Sequence, residues 1–369
     1  MTSTSGKVDK LFLVISAILV VAGFFIFSSA SLGVLASNGA KFSNVAFNQL
    51  FLGLFMGSIF CLIFSRVDYL IFRKYAFFIF LFSIILTLLV FVPGIGFEHG
   101  GAKRWIDFGF VSFQPSELLK IGFIIYLAAW ISASKERIKT MSGGLLPFLV
   151  MLGVVGAILL AQPDTDTYLV IVVAGIGMYI SGGGKWSHMA LVGFLGLLGL
   201  TLVAFARPYV MQRITTFINP NENALTSGYQ IRQSLIALGS GGVTGRGFGK
   251  SIQKFNYLPE PIGDSIFAVA AEEFGFIGSS IILILFILFG TRGLRVASEA
   301  RDTFGGLLVV GIVIIIMSQM FVNVGGMIGI LPLTGIPLPF ISHGGTALLI
   351  TLVEVGIILN VSNKKRVKT

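Results

Sequence analysis

The sequence predicts an all-α polytopic membrane protein of about ten transmembrane helices, with a large extracytoplasmic loop between the seventh and eighth spans. Three observations carry this. Hydrophobic residues make up 55% of the 369 positions. Charged residues make up only 11%, less than half of the roughly 25% of a soluble domain. Apolar runs of about 20 residues recur along the chain, which is the length a helix needs to cross the hydrocarbon core. The short alternating segments of a membrane β-barrel are not part of the pattern.

The spans read as 11–31, 47–65, 75–93, 116–134, 144–162, 167–183, 187–206, 265–290, 304–329 and 344–362. Lys7 and Lys10 precede the first, as in a secretory signal, but its apolar stretch is too long for a signal core and is kept as a span. An even number of spans puts both termini on one side. Lys and Arg are denser in the loops on that side, down to Lys364, Lys365, Arg366 and Lys368 at the tail. Residues 1–10 and 363–369 are therefore expected to be cytoplasmic. The whole chain, 1–369, is expected to be one membrane domain.

A net charge of +10 raises the question of nucleic acid. The basic residues sit in short loops, so membrane topology accounts for the charge and no nucleic-acid partner is expected. The basic residues on the outer side concentrate in two loops, 94–115 and 207–264, against the topological rule, which hints at an anionic ligand there. Loop 207–264 is too short for an independent domain with its own large core. Within it, Gly228–Gly239 (GYQIRQSLIALG) reads as a short interfacial helix with Ile231, Leu235 and Leu238 on one face. The single cysteine, Cys61, lies in an apolar run, and His99, His188 and His343 are far apart, so no disulfide or metal motif is expected.

Several segments could carry chemistry. In Tyr257–Gly278 (YLPEPIGDSIFAVAAEEFGFIG), two prolines and a glycine impose an irregular loop before the eighth span, and Asp264 stands at the span's entry. An ionisable group at membrane depth is costly and marks a functional candidate. The plain alternative is that Asp264 caps the helix. Glu260 in the same loop is counted with the substrate-binding candidates. Glu272 and Glu273 lie deeper and point about 100° apart on a helix, so structural pairing competes with catalysis.

In Gln114–Lys120 (QPSELLK), Pro115 suits a helix start, and Glu117 and Lys120 share a face and can pair. Ahead of it, Lys103, Arg104 and Trp105 suit either a membrane interface or contact with a diphosphate. Gly239–Ser251 (GSGGVTGRGFGKS) looks like a phosphate-binding loop, but Thr244 stands where that pattern demands glycine, so nucleotide binding is rejected and a flexible loop with Arg246 and Lys250 remains. Asn323–Thr346 interrupts the helical pattern with repeated Gly and Pro, as tolerated only against protein or a wet cavity.

Taken together, GAKRWIDFGFVSFQPSELLK (101–120), QPD (162–164), GYQIRQSLIALGSGGVTGRGFG (228–249), the region 256–278 and TGIPLPFISHGG (334–345) resemble the SEDS family of shape, elongation, division and sporulation proteins. The sequence around Tyr257–Asp264 looks closer to its FtsW branch than to RodA. The resemblance implies a glycosyltransferase that polymerises lipid II on the outer face of a bacterial cytoplasmic membrane, for septal wall synthesis. It also implies a class B penicillin-binding transpeptidase and other divisome or elongasome proteins as partners. The family's essential aspartate matches Asp264, and its intramembrane acid–lysine pair matches Glu117 and Lys120. The family's loop residues ahead of the fourth span match Lys103, Arg104 and Trp105. Three positions depart from the family pattern. Gly263-Asp264-Ser265 replaces a Thr-Asp-Phe context, Asp166 replaces a glycine after QPD, and His343 replaces a tyrosine.

The chemistry expected on that reading is attack of a sugar hydroxyl with departure of undecaprenyl diphosphate. The leaving group is already anionic, so the reaction needs a base, assigned to Asp264, and positive charge on the diphosphate. Candidates for the latter are Arg213, Arg246, Lys103, Arg104 and Lys120; a divalent cation such as Mg could serve as well, though no aspartate-rich motif marks its place. One base without a second placed nucleophile favours direct displacement with inversion. Elongation of the RodA type is the same chemistry in another process. A lipid II flippase is the competing class and would need polar groups continuing to the cytoplasmic side; a non-catalytic scaffold would tolerate loss of Asp264.

Overall fold

The computed structural model describes residues 8–37, 39–99, 102–107, 112–219 and 227–364; the terminal stretches expected to be cytoplasmic lie largely outside these residues. Among them, nine helices are long and apolar enough to cross a membrane. The tenth expected span, α7 (Thr165–Ser181), is apolar but only 17 residues long, about 25 Å at a helix's rise per residue.

The first helix, α1, covers Lys10–Ser37. The second span is composite: α2 (Gly39–Phe47) runs through a π-helical stretch, Asn48–Met56, into α3 (Gly57–Arg66). Then come α4 (Leu70–Leu88), α5 (Pro115–Ser134), α6 (Leu146–Ala161), α7 and α8 (Trp186–Ala206). After the long loop follow α11 (Ile266–Ser298), α12 (Thr303–Met327) and α13 (Gly345–Ser362). Proline opens α5 and lies in the first turn of α6, where its missing N–H costs nothing. Asp164 and Asp302 cap α7 and α12, accepting from Thr167 N and Gly305 N. The bundle buries α5, α12 and α13 most deeply, whereas α8 is largely exposed along its length.

Both described chain ends meet at one end of the bundle. Asp9 N donates to Ser362 Oγ at 3.1 Å, Arg292 near the end of α11 pairs with Asp9, and Lys364 pairs with Asp68. The start of α11, and Asp264 with it, therefore lies at the opposite end.

Three features depart from the helical expectation, and all lie toward that opposite end. The segment before α5 forms a small antiparallel sheet, β1 (Gly96–His99), β2 (Ala102–Asp107) and β3 (Ser112–Phe113), in the order β1-β2-β3. The long loop contains two helices, α9 (Pro208–Ile218) and α10 (Ser227–Gly241). α10 covers the stretch expected as a short helix, but its buried face differs from the expected Ile231, Leu235 and Leu238. It packs on α11 with Ile231, Ser234 and Ala237 buried, while Leu235 stays 44% exposed. Small residues set that face, because they allow close approach: a Cβ on Gly241 would run into the Ala271 carbonyl.

The third feature is a break in α11. Gly275 has φ 65° and ψ −164°, a conformation that only glycine adopts without strain. The peptide groups freed by the break do not stay orphaned. Phe276 N and Ile277 N donate to Gly242 O and Val243 O at 2.9 and 3.1 Å, and the Glu272 and Glu273 carbonyls accept from Arg246 N and Gly247 N at 3.0 and 2.9 Å. The glycine-rich loop is thus a backbone plug for a broken membrane helix, which is how such a break becomes tolerable.

Candidate active site

Asp264 closes the Pro-rich loop. Gly263 N and Ser265 N both donate to the Glu260 carbonyl, at 3.1 and 3.2 Å. The cap residue of α11 is Ser265, with no side-chain cap bond, so capping does not occupy the Asp264 carboxylate. Three elements hold the loop. Asn323 Nδ2 on α12 donates to Asp264 O at 2.8 Å, Ser342 Oγ donates to Gly263 O at 2.8 Å, and His343 N donates to Ile262 O at 2.7 Å. Gln230 Nε2 on α10 reaches Ser265 Oγ at 2.9 Å. The Gly- and Pro-rich segment 328–344 is irregular, as its sequence suggests, and braces this loop.

The carboxylate opens on a cavity of about 120 Å³ that Arg104, Glu117, Asp164, Gln319 and His343 also line. Arg104 arrives on β2. Its guanidinium donates to the carbonyls of Gln162 and Pro163 and lies 3.7 Å from Asp164 Oδ1. Asp164 is buried, which raises its pKa against the opposing pull of Arg104. On α9, Arg213 Nη1 donates to Asp166 Oδ1 and Oδ2 at 2.8 and 2.6 Å. Burial pushes the Asp264 pKa up to about 7, with Glu260 and Asp166 adding to the rise and Arg213 and Arg104 opposing it. A carboxyl so placed is poised to exchange a proton near neutral pH.

The remaining sequence candidates fall elsewhere. Glu117 lines the cavity, while Lys120, one turn on, sits beneath it; the two pair at 2.8 Å and both are buried. Lys103 is exposed on β2. Glu260 is exposed and lines a separate cavity of about 150 Å³ with Gly33, Lys254 and Pro261, although its charge is felt at Asp264. Arg246 is engaged away from the Asp264 cavity, by Ser240 O at 3.3 Å and Glu272 Oε1 at 3.5 Å.

Glu272 and Glu273 organise the loop. Glu272 accepts from Ser251 Oγ, Ile252 N and Gln253 N at 2.5, 3.1 and 3.2 Å. Glu273 takes Lys254 Nζ at 2.8 Å and Ser29 Oγ at 2.6 Å, with every partner buried. Part of the positive charge that hinted at an outer anionic ligand is therefore compensated internally. Sequence reasoning left Asn323 and Gln319 unassigned, and it noted Asp164 and Asp166 only as parts of a motif. The one signal for Asp164 is its place as the last residue of QPD, directly before an apolar helix, where an aspartate suits an N-cap. Among the described residues, no three His, Cys, Asp or Glu side chains converge as a metal site.

This is a multi-pass helical membrane protein that gathers a buried carboxylate and two arginines at one end of its bundle. The chain belongs to the FtsW/RodA/SpoVE family: the model of that family, described as "Cell cycle protein", matches residues 9–367. Stage V sporulation protein E of Bacillus subtilis (strain 168) is 39% identical over 99% of this chain and 100% of its own length. A protein of Geobacter sp. (strain M18), "Probable peptidoglycan glycosyltransferase FtsW", is 42% identical over 82% of each chain. Among solved structures, a chain from work on the coordination of polymerization and crosslinking by a peptidoglycan synthase complex superposes with a TM-score of 0.79. It is 25% identical, over 96% of this chain and 97% of that one. The rod shape determining protein RodA of Thermus thermophilus superposes with a TM-score of 0.70, at 26% identity over 98% of each chain.

Proposed function

We propose that this protein is a peptidoglycan glycosyltransferase that polymerises lipid II into glycan strands at the outer face of the bacterial cytoplasmic membrane, with Asp264 as general base. The observation that carries the reading is the Asp264 carboxylate itself: it caps no helix and faces a cavity, where burial raises its pKa. In its ionised form it takes the proton of the incoming sugar hydroxyl as the new glycosidic bond forms. General-base help of this kind is worth roughly 10²–10⁴ in rate. The leaving diphosphate departs as an anion, and Arg104 and Arg213 supply positive charge on the same side. Glu117, at the cavity wall, and Lys120 beneath it complete the polar floor.

A flippase would need polar groups continuing through the bundle. Beside Lys120, Glu354 on α13 is buried as well, and beyond that depth α5 buries only apolar side chains, Phe123, Ile124, Leu127 and Ile131. Both termini are assigned to the cytoplasm on the loop charges, with residues 207–264 outside. The FtsW- and SpoVE-named relatives support a role in division or sporulation, and we favour septal synthesis. The partner we propose is a class B penicillin-binding transpeptidase, acting among other division proteins. Polymer formation from purified lipid II, with Asp264→Asn as control, tests the reading.

A further inference from the structure

Asp166 links three separate parts of the fold beside the candidate base. It sits in the first turn of α7 and is buried. Both its oxygens accept from Arg213 Nη1, at 2.8 and 2.6 Å, and Oδ2 also accepts from Gly335 N at 3.3 Å. One carboxylate thereby joins α7, α9 and the 328–344 segment. Gly335 is itself beside the base, since a Cβ built there would lie 3.6 Å from Asp264 Oδ2. A long arginine side chain pays rotamer entropy to be held in one place, and an oxygen pair at hydrogen-bond distance supplies the restraint.

We propose that Asp166 is a positioning residue for the transfer reaction: it holds the Arg213 guanidinium where its charge acts on Asp264, and it pins the extended backbone at Gly335 beside the Asp264 carboxylate. The inference rests on the reading of Asp264 as the base of a transferase. The charged groups that face Asp264 come from every side: Glu260 from its own loop, Asp166 from α7, Arg213 from α9 and Arg104 from β2. Asp164, Glu117 and His343 line the same cavity. Asp166→Asn keeps an oxygen for Gly335 N and Arg213 but removes one negative charge. Both the lost anion and the uncompensated arginine then favour the ionised form of Asp264, so the base becomes active at lower pH. Asp166→Gly removes the restraint on Arg213 as well.

The test is the pH dependence of kcat/KM for strand formation from purified lipid II, with the full chain in complex with a transpeptidase-inactive partner. Wild type is compared with Asp166→Asn, Asp166→Glu and Asp166→Gly. The proposal expects the acid limb to move down by about half a pH unit or more in the Asn variant. It expects KM to rise about fivefold in the Gly variant and to recover in the Glu variant, which can still hold Arg213. The Asn effect on pH should shrink when Arg213→Gln is added, because the two residues act as a unit. Equal acid limbs and equal KM across the series, or a loss confined to the yield of folded protein, would overturn the proposal while leaving an active wild type in place. An inactive wild type in an intact complex would overturn the transferase reading, and this proposal with it.

Discussion

Asn323 spans two carbonyls with one amide nitrogen: its Nδ2 donates to Asp264 O and to Ile336 O, each at 2.8 Å. It is buried on α12, and it ties the loop that presents the base to the segment that passes beneath it. Replacing Asn323 by Ala leaves two carbonyls without that donor, at a cost of about 1–3 kcal/mol. It also frees Asp264 to drift. The expected result is a fall of about tenfold in kcat with a smaller change in KM, since positioning of a base matters most in the transition state. Steady-state kinetics beside a thermal melt would separate the two effects.

The pH dependence follows from Asp264. Its carboxyl must be ionised to accept a proton, and its pKa lies at about 7. The rate should therefore fall on the acid side of neutrality and rise through it. Measuring kcat/KM across this range in wild type checks the prediction, and the residual activity of Asp264→Asn should lack that limb.

Stability carries the opposite sign. A carboxyl whose pKa is raised in the folded state favours folding in its protonated form, and that contribution is lost as pH rises from about 4, its unfolded value, through the folded pKa. Asp264→Asn should thus raise Tm relative to wild type, more at about pH 8 than at about pH 5. Loss of activity with gain of Tm would separate a catalytic role from a structural one.

The buried pair Glu117–Lys120 predicts strong non-additivity. Lys120→Met strands a carboxylate within the bundle and should cost about 3–5 kcal/mol. Adding Glu117→Gln should recover much of that stability. Thermal unfolding of the two single variants and the double variant checks it.

Gly275→Ala should unseat the plug. The added methyl would collide with Gly245 N, and the backbone conformation there disfavours any side chain. The loop 242–256 should become sensitive to limited proteolysis, with a lower Tm. Gly199→Ala on α8, where a Cβ meets nothing within 4 Å, is the matched control and should leave both unchanged.

The spans were legible because an apolar run of some 20 residues can bury its backbone polar groups in lipid only as a helix. Glu117–Lys120 was legible because helical spacing alone brings the two together. Gly275 was not: a lone glycine inside a span is no break signal by itself, and its break makes sense only with Gly242 and Val243, far back in the chain, supplying acceptors. The β1–β2 pairing is not legible, because Lys103, Arg104 and Trp105 suit an interface or a diphosphate contact and neither requires strands. The lining of the cavity was half legible. Asp264, Arg104 and Glu117 stand out as charges at span ends. Asn323 and Gln319 are neutral residues in a long apolar helix. Arg246 and Arg213 look alike in sequence; what separates them is that Glu272 takes one and Asp166 the other.

Glycan-strand formation from purified lipid II, by this protein with a transpeptidase-inactive cognate partner and with wild type beside Asp264→Asn, decides whether the chain is a transferase with Asp264 as its base. The account predicts polymer from the wild type and a loss of roughly 10²–10⁴ in rate from a folded, partner-bound mutant. Equal polymer from both would remove Asp264 from the chemistry, and no polymer from either, with the complex intact, would contradict the transferase itself.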